Sequence, residues 1–164
     1  MAVLGLDFGD KTIGVAVSDG LGLTAQGLTI LRRERPEAYK QNLRELAQIV
    51  EERQITKIVL GLPKNLDNTE GDRCEKTRAF GERLQKRFPQ AELVLWDERF
   101  STVAVQAAMQ AGGLSADQRK QNVDQLAAVY MLQGYLDQQE ERRDWKGIES
   151  WIKNIWMSLT KRFC

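Results

Sequence analysis

The sequence predicts an α/β domain built on a five-stranded mixed sheet with helices on both faces. Three short apolar segments, opening at Val3, Thr12 and Thr24, follow one another with only turns between them, which is a meander of antiparallel strands. Two later strands, opening at Lys57 and Leu93, alternate with amphipathic helices, and that alternation forces parallel pairing through helical crossovers. At 164 residues and 42% hydrophobic, the chain has the material for one domain core and a tail.

The elements follow in order. Val3 to Phe8 is a short apolar run broken only by Asp7; Ile13, Val15 and Val17 then alternate with Thr12, Gly14, Ala16 and Ser18 at the period of a strand. Gly9-Asp10-Lys11-Thr12 between them is turn material, as is Ser18-Asp19-Gly20-Leu21-Gly22 before a third strand from Thr24 to Leu31. Pro36 suits the first turn of a helix, where its missing N–H costs nothing, and Leu43, Leu46, Ala47, Ile49 and Val50 give that helix an apolar face. The fourth strand, Lys57 to Leu60, runs into Gly61-Leu62-Pro63 and a polar loop from Lys64 to Gly71. A helix from Asp72 to Phe88 turns Cys74, Ala79, Phe80 and Leu84 inward, and a fifth strand, Leu93 to Trp96, ends in Asp97-Glu98-Arg99. Ser101 or Thr102 caps a helix to Ala111, stopped by Gly112-Gly113. Asn122, with Gln125 as the other half of a capping box, opens a longer helix carrying Val123, Leu126, Ala127, Tyr130 and Met131 at spacings of three and four.

Residues 1–138 are thus expected to form the domain and 139–164 a C-terminal amphipathic tail. In the tail Ile148, Trp151, Ile152, Ile155, Trp156 and Leu159 recur at helical spacing, suited to docking on the domain itself, on a partner or second subunit, or on a membrane surface.

Composition restricts the chemistry. The chain has no histidine, which excludes a Ser-His-Asp triad, a Cys-His pair and a histidine-ligated zinc. Acid–base work near neutral pH therefore falls to tuned carboxylates or lysines, or passes to a metal-bound water. The 24 Lys and Arg nearly balance the 23 Asp and Glu, so attraction for a polyanion must come from local patches. Cys74 and Cys164 lie far apart with no CxxC, which suggests neither a disulfide framework nor a zinc site and fits a reducing, cytoplasmic compartment. No apolar run approaches the roughly 20 residues that cross a bilayer, and the N-terminus lacks the order of a signal peptide.

In an open α/β sheet, ligands bind beyond the carboxyl ends of the parallel strands. Asp7 closes the first strand, the loop with Lys64 and Asn65 leaves the fourth, and Asp97-Glu98 closes the fifth, so all three share one edge. Asp124, in the expected first turn of the long helix, joins them if that helix starts near the same edge. Three such carboxylates suit a hard divalent cation, Mg²⁺ or Mn²⁺. Each acid also has a plainer role: Asp7 in an Asx turn, Asp97-Glu98-Arg99 as a solvated strand end, Asp124 answering the helix dipole. Asp7 resists that reading best, since an acid between Leu6 and Phe8 on a central strand is costly to bury without a strong partner. Lys11, Lys64, Arg73 and Arg99 lie on or beside the same loops and are candidates for phosphate contact.

Four blocks, LGLDFGDKTIGVAVSD, IVLGLPKNLDNTEG, DERFST and VDQLAAVYMLQGYLD, resemble in sequence and order the YqgF/RuvX family of ribonuclease H-like proteins, over roughly residues 3–138. That family is described both as Holliday junction resolvases and as nucleases of the 5′ end of pre-16S ribosomal RNA. The resemblance implies a sheet of order 3-2-1-4-5 and a nuclease site in which Asp7 matches the first-strand aspartate, Glu98 the acid of the DER block and Asp124 the helix acid. The residues alone leave Asp97 and Glu98 open; the family favours Glu98. It further implies phosphodiester hydrolysis with Mg²⁺ or Mn²⁺ held by Asp7, Glu98 and Asp124. Gly9, Lys11, Lys64, Asn65, Arg99 and Ser101 would contact or orient the nucleic-acid strand. Asn68 stands where the family often has glycine, which touches only the turn geometry of its loop.

The implied substrate is pre-rRNA, with ribosomal particles as associated partners, and branched DNA is the alternative. Trimming an rRNA end needs one active site, whereas resolving a junction calls for a homodimer, so the chain is expected to act as a monomer or a homodimer. Two other classes compete. Sugar kinase and actin-like ATPase folds also open on a DxG strand and hairpin, but they close two such domains around ATP and this chain has one. A non-catalytic RNA- or ribosome-associated module would keep the fold and the acids without turnover.

Overall fold

The computed structural model describes residues 2–65, 67, 69–97, 113 and 115–161, with the backbone alone for 118–122 and 154–161. Strands β1 (Val3–Phe8), β2 (Thr12–Ser18), β3 (Ala25–Arg32), β4 (Lys57–Leu62) and β5 (Glu92–Asp97) form one sheet of order β3-β2-β1-β4-β5. β1 and β2, and β2 and β3, pair antiparallel, whereas β4 is parallel to β1 and β5 parallel to β4. The meander and both crossovers are those the residue patterns predict.

Strand alternation sorts the side chains into two layers. Leu4, Leu6 and Phe8 of β1, with Ile13, Val15 and Val17 of β2, join Leu46 and Val50 of helix α1 (Tyr39–Glu52) and Phe80 and Leu84 of helix α2 (Asp72–Arg87) in the larger core. On the opposite face Ala16 and Val59 pack against Ala128, Met131, Leu132, Tyr135 and Leu136 of helix α3 (Ala116–Lys161). The sheet can receive α3 closely because small residues line that face. A Cβ on Gly5 would come within 2.8 Å of the Leu132 Cβ, and one on Gly27 within 2.8 Å of the Gln125 Nε2.

Three expectations need correction. α1 begins at Tyr39, and Pro36 lies ahead of it in a turned segment where its carbonyl accepts from the Arg33 Nε at 3.2 Å. The long helix begins at Ala116, six residues before Asn122, so Asn122 and Gln125 are no capping box. Asp117 is the first-turn acid, and Ala, Gln, Arg and Lys between 116 and 121 are strong helix formers that extend the helix upstream. Asp124 therefore stands in the helix interior, beyond the reach of the dipole argument. The expected helix from Ser101 to Ala111 lies outside the described residues.

The tail from 139 continues α3 without a break to Lys161. Trp145, Ile148, Trp151 and Ile152 are 66%, 49%, 64% and 54% exposed, so these four do not dock on the domain. No helix among the described residues is long and apolar enough to cross a membrane.

Candidate active site

The sheet brings Asp7 to the carboxyl edge of the central strand, as predicted, and its register sets Asp7 across from Gly14 on β2. Asp7 shares the parity of Gly5, so its side chain leaves the sheet on the face covered by α3. Gly14 decides how near α3 comes. An ideal Cβ there would overlap the carbonyl oxygen of Asp124 and lie 2.6 Å from its carbonyl carbon. Any side chain at position 14 thus holds the helix away, and glycine lets Asp124 settle beside Asp7.

The Asp124 carboxylate is fixed by a long-range contact: its Oδ2 accepts a hydrogen bond from the Thr12 hydroxyl, on the same face of β2 as Gly14. The two carboxylates act on each other. Burial, and then the charge of Asp124, push the Asp7 pKa up from 3.8 to about 6, while Arg73 in the first turn of α2 pulls it down. An acid in this state holds its proton weakly enough to ionise at neutral pH and gains from any added positive charge.

Gly9 occupies the hairpin between them. Its N–H donates to the Thr12 carbonyl at 2.8 Å, and a Cβ on it would approach that oxygen to 3.2 Å. Gly22 and Gly113 have positive φ and Gly9 does not, so its use is close approach within the hairpin rather than a left-handed turn. Behind the hairpin, Arg33 is only 8% exposed, with its guanidinium 4.6 Å from the Phe8 ring centroid. Its Nη2 donates to the Gly9 carbonyl, and its N–H donates to the Lys11 carbonyl at 2.9 Å. Lys11 itself is exposed at the turn.

The loop after β4 is organised by its own polar groups. The Asn65 N–H donates to the Thr69 carbonyl at 3.0 Å and its Nδ2 to the Thr69 Oγ1 at 2.8 Å; Asp67 Oδ1 accepts from the Thr69 hydroxyl at 2.6 Å. Lys64 is partly buried at the start of this loop. Asp19, a turn residue by its sequence, is one here: it accepts the Leu23 N–H at 2.8 Å, and such bonds hold its carboxyl below the usual range.

On β5, Leu93 packs toward the α1 and α2 side while Val94 and Trp96 pack toward α3, with Trp96 edge-on to Tyr135 at 5.5 Å. Asp97 shares the parity of Leu93, so it leaves the sheet on the face opposite Asp7. Glu98, Arg99 and Ser101 lie outside the described residues. Among the described residues no group of three metal-ligating side chains occurs; the groups brought together at this edge are Asp7, Asp124 and Thr12. Thr12 and Arg33 were not singled out from the sequence. Thr12 belongs to an ordinary strand alternation, and Arg33 sits in a charge run, RRERP, that reads as solvated.

A family model described as "RuvX: Holliday junction resolvase" matches residues 1–138. The chain belongs to the RuvX family. RuvX proteins named "Putative pre-16S rRNA nuclease" from Agathobacter rectalis and Clostridium tetani are 51% and 48% identical to it over 137 residues, covering 84% of this chain and 95% and 96% of theirs. In solved structures, the Thermus thermophilus RuvC in complex with a Holliday junction substrate superposes with a TM-score of 0.55 at 17% identity, over 85% of this chain and 96% of that one. The fowlpox virus Holliday junction resolvase gives 0.51 at 12% identity, over 84% and 99%. At these identities the likeness shows the fold, which is ribonuclease H-like.

Proposed function

We propose that this RuvX protein is a divalent-metal-dependent nuclease that hydrolyses phosphodiester bonds at the Asp7 edge of the sheet, acting on the 5′ end of pre-16S rRNA. The observation that carries the reading is the carboxylate pair. Asp7 and Asp124 come from elements far apart in sequence, and Gly14 and Thr12 bring them together at an electrostatic cost to Asp7. Proteins keep like charges close where a cation or a proton is to be held between them.

The donor set fits the ion the family implies. Two carboxylates beside a hydroxyl, with neither imidazole nor thiolate, form an oxygen site for a hard cation such as Mg²⁺ or Mn²⁺. Bound there, such an ion supplies Lewis-acid polarisation of the phosphodiester and water of lowered pKa. Asp7 and Asp124 would hold it, and Thr12 would fix the direction in which Asp124 presents its oxygens. Glu98 is the third acid by the family motif, and the outward parity of Asp97 supports choosing it over its neighbour. Lys11, Lys64, Asn65, Arg99 and Ser101 are assigned to the strand, held along the carboxyl edge. Gly9 keeps the hairpin compact enough for a phosphate to pass. Residues 1–138, the span of the family match, form the nuclease domain.

Junction resolution is the second reading, favoured by the description of the matching family model. The two are separated by incubating the full chain with a 5′-extended 16S precursor RNA and with a four-way DNA junction, in Mg²⁺ or Mn²⁺, beside Asp7→Asn. Cleavage of the RNA that Asp7→Asn abolishes supports rRNA processing. Paired, symmetric cuts in the junction alone would replace that substrate, and cleavage of neither would sink both.

A further inference from the structure

A cavity of about 650 Å³ opens where β3 runs into α1, lined among others by Arg32, Arg33, Arg35, Lys40 and Arg44. Two acids, Glu34 and Glu37, share that lining, yet neither forms an ion pair within 4.0 Å with any of the five cations. The N-terminus of α1 faces the same space: Ala38 caps it without a side-chain hydrogen bond, and its first turn carries no acid. The helix therefore adds positive potential to a lining in which five cations face two acids.

The second observation is Arg33. The residue is more than nine-tenths buried, and its buried Nη1 has no hydrogen-bond partner among the described residues. Stacking on Phe8, at 4.6 Å, and Tyr39, at 5.5 Å, offsets part of the cost of burying a guanidinium but satisfies no donor. Four exposed cations, an uncapped helix and a buried arginine with a spare donor thus surround one space of the size that holds small ligands.

We propose that this cavity binds backbone phosphates of the nucleic-acid substrate at a distance from the scissile bond. Arg33 links it to the catalytic edge, since the same guanidinium donates to the Gly9 carbonyl in the hairpin that follows Asp7. A strand engaged at Arg35, Lys40 and Arg44 is thereby registered against the β1–β2 turn. The proposal rests on the nuclease reading for the identity of its ligand, and its test requires no turnover.

The full chain and the triple variant Arg35→Gln, Lys40→Gln, Arg44→Gln are compared for binding a fluorescein-labelled single-stranded RNA of about 30 nucleotides, in EDTA, over a range of KCl concentrations. All three side chains are on the surface, and thermal unfolding verifies that the variant is folded. Each lost phosphate contact lowers the slope of log affinity against log salt by about 0.7 for a single strand, so the variant should lose about 2 from its slope and roughly tenfold or more in affinity. Arg53→Gln with Lys86→Gln, which removes exposed charge elsewhere, should leave the slope as it was. An unchanged slope and affinity in the triple variant overturn the proposal. So does loss of inorganic-phosphate binding alone, which would mark a free-anion site. The two readings fail separately. Asp7-dependent cleavage with an unchanged slope removes only the cavity site, and a reduced slope without cleavage removes only the nuclease.

Discussion

The hydroxyl of Thr12 donates to the carboxylate of Asp124 across 112 positions of sequence, tying the start of β2 to the interior of α3. That bond is the one described contact that sets the direction of the second acid. Thr12→Val keeps the β-branched shape and removes the donor, and is expected to lower cleavage by roughly 10- to 100-fold, the range for losing a partner that orients a metal ligand. Thr12→Ser should restore most of it. Equal rates for Val and Ser would mean that the hydroxyl positions nothing.

Asp7 gives the metal-free protein a pH signature. Its pKa is raised in the fold from 3.8 to about 6, so between those values the native state binds more protons than the unfolded chain. Stability then falls as pH rises through that window, and the whole penalty is present above it. The shift corresponds to about 3 kcal/mol. In EDTA, Asp7→Asn should therefore be more stable than wild type at pH 7 by up to that amount, with the difference vanishing near pH 4. Urea titrations at the two pH values measure it, and a variant less stable than wild type at pH 7 would contradict the placement of Asp7.

Gly14→Ala drives a methyl into the backbone of Asp124, which no side-chain rotation relieves. A loss of at least about 1–3 kcal/mol in stability is expected. Cleavage should fall as well, because α3 can move aside only by carrying Asp124 from Asp7. A variant with native stability and rate would show that the helix does not need this approach.

The extension of α3 should be dispensable for the fold. Its innermost packing ends at Leu136, and Trp145, Ile148, Trp151 and Ile152 are exposed. Ending the chain after Asp144 is expected to change stability by no more than about 0.5 kcal/mol. A larger loss in thermal unfolding would place the extension against the domain.

Much of this was legible in the residues because the signals were periodic. The alternation from Ile13 to Val17 and the apolar run before Asp7 fix strand, face and edge together. Asp124 does come to the Asp7 edge, but not as a first-turn residue. A run of helix formers moved the true start upstream to Ala116, and what places Asp124 is Gly14, whose role depends on a long-range contact no local pattern carries. Arg33 was hidden in the same way. Four charges in RRERP look alike in sequence, and only the fold of β3 against the hairpin separates the buried one from its exposed neighbours.

In the proposed reaction Asp7 and Asp124 together would hold the cation used for cleavage. Single-turnover cleavage of the precursor RNA across a Mn²⁺ titration, for wild type, Asp7→Asn and Asp124→Asn, tests it most directly. The rate should saturate with Mn²⁺ in wild type and fall by at least about 100-fold in each variant. A variant that cleaves at the wild-type rate with the same Mn²⁺ dependence would contradict it.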